Sequence, residues 1–154
     1  MSPKNTDRIE QKIVLRVPRR RVWRALTDAE EFGAWFGAKM AGKFSPGAAV
    51  KGKITEEGYE GLQLEIVVDR IEPERLFSWH WHPYAIDPEA DYSAEPPTLV
   101  VCELEEVGPG TALTFVETGF DALPATRREE AYRMHEEGWA GQAKSIEQYL
   151  AKAA

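Results

Sequence analysis

Cysteine is nearly absent: Cys102 is the only one in 154 residues, which excludes an internal disulfide framework and a cysteine-based zinc cluster. Long apolar runs are missing too, and nothing approaches the roughly 20 residues needed to cross a bilayer. The opening residues, MSPKNTDRIEQ, lack the apolar stretch of a signal peptide, so a cytoplasmic protein without a membrane span is expected. Positive charge is in deficit, with 19 Lys and Arg against 26 Asp and Glu and a formal net charge of -7. That field repels a polyanion, and nucleic acid is not an expected partner. There is no phosphate-binding loop and no dinucleotide fingerprint, so no cofactor is expected. Ser45, Ser78, Ser93 and Ser145 fall in turn, outer-face, loop and helix contexts, without the nucleophile-elbow pattern.

What is present is a globular composition, 43% hydrophobic and 29% charged, of a length that fits one domain over 1–154. Ile9, Gln11, Ile13, Leu15 and Val17 alternate with mostly charged residues, the period of a half-buried strand that Pro18 ends. Two short helices follow, one carrying Val22 and Leu26. The other is capped by Asp28, carries Phe32, Trp35 and Phe36 on one face, and is kept short by Gly33 and Gly37. From 39 to 120 the text changes to alternating runs separated by SPG, EEGYEG, EPER and VGPG, which reads as six antiparallel strands joined by turns. The last segment, 126–153, reads as one helix about 40 Å long. Tyr132, His135, Trp139, Ala143, Ile146 and Leu150 form its buried stripe, with Met134 and Gly141 pointing elsewhere.

These pieces specify an α+β fold: a curved antiparallel sheet wrapped around a long C-terminal helix, in the order β-α-α-β6-α. The segments VWRALTDAEEFGAWFG, RLFSWHW, TALTFVETGF and HEEGWAGQAKSIEQYL resemble those of bacterial proteins similar to the heat-shock protein 90 ATPase activator, in the START-like (SRPBCC, polyketide cyclase-like) superfamily. The resemblance covers nearly the whole chain. It implies a helix-grip fold with an apolar cavity between sheet and long helix, but transfers no catalytic motif.

The histidines raise the question of a metal. On the strand over 76–82, Phe77, Trp79 and Trp81 share one face and Ser78, His80 and His82 the other. Burying three large aromatics outweighs burying two imidazoles, so the aromatics should face the cavity and the histidines should be solvated. No metal site is expected, although Glu103 or Glu105 on the next strand could add a carboxylate. Two ionisable groups do point inward: Glu117, in phase with Leu113 and Phe115, and His135 on the facing helix. Buried charge must be paired, so the two should be close enough to share a proton or a ligand. Cys102 reads as an inert core thiol.

The expected function is binding of a small hydrophobic or aromatic molecule. Trp35, Phe36, Phe77, Trp79, Trp81, Phe115, Tyr132 and Trp139 would be the walls, and Glu117 and His135 the polar anchors. The rivals are a cyclase- or hydrolase-type enzyme using Glu117 and His135, and a chaperone-interaction module using an exposed patch. Two features stand apart. The connection from Pro83 to Pro97, carrying Tyr84, Ile86 and Tyr92 among acids, is expected to fold over a cavity opening or against a second subunit in a homodimer. The arginines of RVPRRRVWR (Arg16, Arg19, Arg20, Arg21 and Arg24) have as their simplest reading a solvated helix face, the other being acidic neighbours elsewhere in the fold.

Overall fold

A computed structural model describes residues 7–55, 62–82 and 94–153. The chain runs β1 (Arg8–Leu15), α1 (Arg19–Thr27), α2 (Ala29–Phe36), β2 (Ala38–Met40), β3 (Ala49–Ile54), β4 (Gln63–Glu72), β5 (Leu76–Trp81), β6 (Thr98–Val107), β7 (Gly110–Thr118), a 3₁₀ turn (Phe120–Ala122) and α3 (Ala125–Ala153). The seven strands form one antiparallel sheet in the order β1-β7-β6-β5-β4-β3-β2. Only β1 pairs out of sequence, lying along β7 from Arg8↔Thr118 to Leu15↔Thr111. The helix-grip fold expected from the sequence is the fold observed.

Local chemistry sets the element ends. Pro18 precedes α1, where its missing N–H costs nothing. Asp28 caps α2 by accepting the Glu31 N–H at 3.0 Å, and Gly37, at φ 91°, closes it by donating its N–H to the Gly33 carbonyl. On β4 the register shifts between Val68 and Arg70. Ser78 fills that bulge, donating to Asp69 Oδ2 at 3.0 Å and accepting the Arg70 N–H at 3.1 Å. Although it lies on the outer face of β5, Ser78 is therefore buried.

The concave face of the sheet is filled by aromatic rings in contact. Phe77 meets Trp79 at 5.2 Å between centroids, Trp79 meets Trp81 at 5.5 Å, and Phe115 stacks on Trp139 of α3 at 4.8 Å. Phe32 of α2 meets Trp79 edge-on at 5.7 Å. Indole and phenyl rings of this size dominate core energetics, and edge-to-face or offset contacts suit their charge distribution. Tyr132 lies at the opposite flank, its hydroxyl donating to the Arg8 carbonyl at 2.9 Å and so tacking α3 to β1.

The arginine run is less solvated than its simplest reading implies. Arg21 and Arg24 both hold Glu31 of α2, at 2.7 and 2.8 Å, and the Tyr149 hydroxyl of α3 donates to the same carboxylate at 2.7 Å. Arg19 reaches Glu74 and Glu106 at 3.7 and 3.8 Å. Arg16 and Arg20 remain exposed. The charges cluster because α1, α2 and α3 converge there. Of the long connection expected to fold over the cavity, 83–93 lie outside the described residues, as does the EEGYEG turn over 56–61. The far end of that connection is anchored: Glu95 accepts a forked pair from Arg127 of α3, and its carbonyl takes a hydrogen bond from His82.

Two glycines make opposite predictions. A Cβ on Gly33 would lie 2.1 Å from the Ala38 carbonyl oxygen, whereas one on Gly138 would meet nothing within 4 Å. Gly33→Ala should destabilise the protein by about 1–3 kcal/mol by forcing α2 off β2. Gly138→Ala should stabilise it by roughly 0.5–1 kcal/mol through helix propensity. Thermal melts of the two variants check the sign.

Candidate functional site

Glu117 sits at the end of β7 with no exposed surface, and its carboxylate accepts four hydrogen bonds. Oε2 takes the Trp81 indole N–H at 2.8 Å and the Thr98 hydroxyl at 2.5 Å. Oε1 takes the Trp139 indole N–H at 2.8 Å and His135 Nδ1 at 2.6 Å. The placement follows from register. Trp81 of β5 is paired with Thr98 of β6, Glu117 follows on the next strand, and the i, i+4 spacing of His135 and Trp139 puts both on one face of α3.

Burial alone would raise the Glu117 carboxyl. The charge of His135 and the hydrogen bonds from His135, Thr98 and Trp81 outweigh it and hold the carboxyl below its ordinary value. The carboxylate is thus an acceptor only, so His135 Nδ1 carries the hydrogen in that bond, which fixes the ring's tautomer when neutral. Glu117 and His135 are as close as the phases of strand and helix implied.

Beside this cluster opens a groove of about 690 Å³, bounded by the end of α2, the adjoining ends of β3, β4 and β5, and the flank of α3. Trp35, Phe36, Trp81, His135 and Trp139 line it, together with Ile54, Leu62, Met134, Gly138, Gly141, Gln142 and Ser145. The other residues expected as walls lie elsewhere. Phe77, Trp79 and Phe115 are sealed within the ring stack behind the groove, Tyr132 faces β1, and Glu117 lies beneath the groove surface, reaching it through His135, Trp81 and Trp139. The space between sheet and helix is packed because the three rings of β5 and that of Trp139 occupy it.

Several site residues were not singled out from the sequence. Thr98 opens a strand after a long connection and carries no periodic signal. Gly138 and Gly141 are legible in hindsight, since two glycines inside one helix cost about 1 kcal/mol each relative to alanine and call for a reason. His80 is half-buried on the outer face of β5 and His82 is engaged with Glu95. Among the described residues no group of three or more His, Cys, Asp or Glu is arranged to hold a metal ion. Cys102 is sealed in the core, where burial pushes its thiol well above the ordinary range.

The Glu117 cluster sets an acid limit to stability. Its folded-state value is depressed, so its contribution is present above the ordinary carboxylate value of about 4.3 and is lost as pH falls through the folded-state value. Glu117→Gln turns an acceptor into an NH₂ that faces two donors, and should cost roughly 3–5 kcal/mol at neutral pH. The gap in melting temperature between wild type and variant should narrow below about pH 4. Glu31, also held below its ordinary value, in its case by Tyr149 and Arg21, is common to both proteins and drops out of the difference.

Among solved structures, a protein from Mesorhizobium loti is 23% identical, with a TM-score of 0.75 over 96% of this chain and 98% of that one. One from Arthrobacter aurescens is 17% identical, with a TM-score of 0.79 over 97% and 90%. The Aha1 dimer from Colwellia psychrerythraea is 18% identical, with a TM-score of 0.69 over 93% and 95%. At these identities the likeness is one of fold. No curated protein matches the sequence. Residues 16–151 match the family described as activator of Hsp90 ATPase homolog 1-like protein, and with the helix-grip architecture in place the chain belongs to that family.

Proposed function

We propose that this protein binds a small, flat, apolar molecule in the groove between α2, the sheet and α3, within the cytoplasm. The observation that carries the reading is the groove itself: about 690 Å³ of open space beside a packed core, walled by Trp35, Phe36, Trp81 and Trp139. The volume falls in the range of small-molecule sites, and the lining is the usual apolar one with a few polar groups. Gly138 and Gly141 keep the α3 side low, since a Cβ on either would project into open space. In this reading the ligand lies along the groove-facing margins of Trp35, Phe36, Trp81 and Trp139, and His135 is its polar anchor. Phe77, Trp79 and Phe115 back the wall, and Glu117 fixes the orientation of His135, Trp81 and Trp139.

The Glu117–His135 contact at 2.6 Å supports a second reading, an enzyme in which Glu117 orients His135 as acid or base toward a bound substrate. The interaction-module reading has less support. The large hydrophobics exposed among the described residues, Val14, Val67 and Val107, stand on three different strands, and scattered exposed apolar residues are ordinary. A dimer is a property of the Colwellia protein, and for this chain a homodimer is an open proposal.

Filling the groove tests the binding reading. Gly138→Leu projects a side chain into the open space at a helix position where leucine is well tolerated, so the variant should fold. Wild type should show tryptophan fluorescence changes and a raised melting temperature with members of a panel of flat aromatic compounds, and the variant should lose at least about tenfold in affinity, on the order of 1.4 kcal/mol. A wild type silent to the whole panel, or a variant that binds as tightly, would refute the reading. Trp139→Ala should also weaken binding, but at a stability cost of about 3–5 kcal/mol, so it needs stability measured alongside.

A further inference from the structure

The polar groups along the groove are unevenly used. The indole N–H groups of its tryptophans all donate inside the protein, Trp35 to the Ala25 carbonyl and Trp81 and Trp139 to Glu117. The Gln142 amide is half used. Its Nε2 donates to the Phe36 carbonyl at 2.9 Å, while Oε1, screened from water, has no hydrogen-bond partner among the described residues. The two ends of the amide cannot be exchanged, because an oxygen in place of Nε2 would face the Phe36 oxygen. The unpaired group is therefore an acceptor.

Buried polar groups in folded proteins are nearly always satisfied, and one that is not calls for an explanation. Gln142 lines the groove, and an acceptor that holds no water loses nothing when a donor arrives. A hydrogen bond formed there adds more to affinity than one that merely replaces a bond to solvent. Gln142 also lies two turns beyond His135 on α3, so the two share a face and stand about 10 Å apart along the helix axis. That separation suits a body of two fused aromatic rings.

Building on the groove-binding reading above, we propose that Gln142 selects the ligand: a flat two-ring molecule that carries an O–H or N–H at its edge, as a phenol or an aromatic N–H heterocycle does. The donor meets Gln142 Oε1, and the rings lie along the groove-facing margins of Trp35, Phe36, Trp81 and Trp139. The amide is held by a hydrogen bond at one end only, so a tilt about that bond turns Oε1 toward the groove without releasing the end of α2. A ligand of the same shape with its donor blocked gains the burial and leaves the acceptor unpaired.

The test compares 2-naphthol with 2-methoxynaphthalene, in which a methyl group replaces the donated hydrogen. Binding is read by NMR chemical-shift titration of wild type, Gln142→Met and Ser145→Ala. Methionine keeps the length of the side chain and suits a helix, so that variant should fold, which a thermal melt checks. Wild type should prefer the naphthol by about tenfold, with the Gln142 side-chain amide signals moving for the naphthol and staying in place for its ether. Gln142→Met should bring the two affinities within about twofold of each other. Ser145→Ala, which removes the neighbouring hydroxyl of the groove, should keep the preference. Equal affinities in wild type, a preference that survives Gln142→Met, or one abolished by Ser145→Ala overturns the role of Gln142 while leaving the groove as an apolar site. If neither compound binds, the groove reading falls and this inference falls with it.

Discussion

The arrangement of this protein depends on one buried carboxylate. Taking Glu117 out of water costs several kcal/mol, and the cost is offset because four donors converge on two oxygens. Those donors come from β5, β6 and two positions of α3, so the bonds form together only when helix and sheet hold one relative position. Apolar contact is non-directional and would tolerate a slide or roll of α3 along the ring stack. A one-residue roll turns the helix by 100° and would carry His135 and Trp139 away from the carboxylate. The charge therefore supplies alignment, while the aromatics supply most of the burial.

The position of the groove follows from that alignment. With Trp81 and Trp139 held edge-first toward Glu117, their faces are set beside one another at the end of the stack, and Trp35 and Phe36 of α2 close the same end. Trp35 is itself fixed, its N–H donating to the Ala25 carbonyl at 2.8 Å. Gln142 ties α3 to the end of α2 by donating to the Phe36 carbonyl at 2.9 Å. Trp35, Trp81, His135, Trp139 and Gln142 are thus each hydrogen-bonded to a different element from the one that carries them, and walls held in this way need little rearrangement to receive a flat molecule.

Much of this was legible in the sequence, because the relevant signals are periodic. The order of elements, the face of β5 that carries Phe77, Trp79 and Trp81, and the inward phase of Glu117 and His135 all follow from periods of 2 and 3.6. Periodicity assigns a face but not a height along it. It could not separate Trp81, at the open end of the ladder, from Phe77 and Trp79, which neighbouring rings seal. Nor could it tell that Tyr132, sharing a stripe with Trp139, lies two turns away at β1. The periodic stripe of the helix also marks only its buried face, whereas the site uses its flank, where Met134, Gly138 and Gly141 lie. Thr98 and the pairing of Arg19, Arg21 and Arg24 were beyond reach for a different reason: their partners are set by strand register and helix convergence, which no local pattern encodes.

The sheet order carries a consequence for how the chain comes to be folded. β1 is made early but among the described residues has one strand neighbour, β7, and its first residue is matched to Thr118. During synthesis each of β3 to β7 can pair with the strand made just before it. β1 must wait until β7 has left the ribosome, and in the interval its backbone has no strand to pair with and its core-facing Ile9 and Leu15 have no finished core to enter. A contact separated by so much chain is slow to form, and a strand that waits exposed is vulnerable to pairing with another molecule. The charged residues Arg8, Glu10 and Lys12 interleaved along β1 suit that wait, since they discourage a second copy from docking in place of β7.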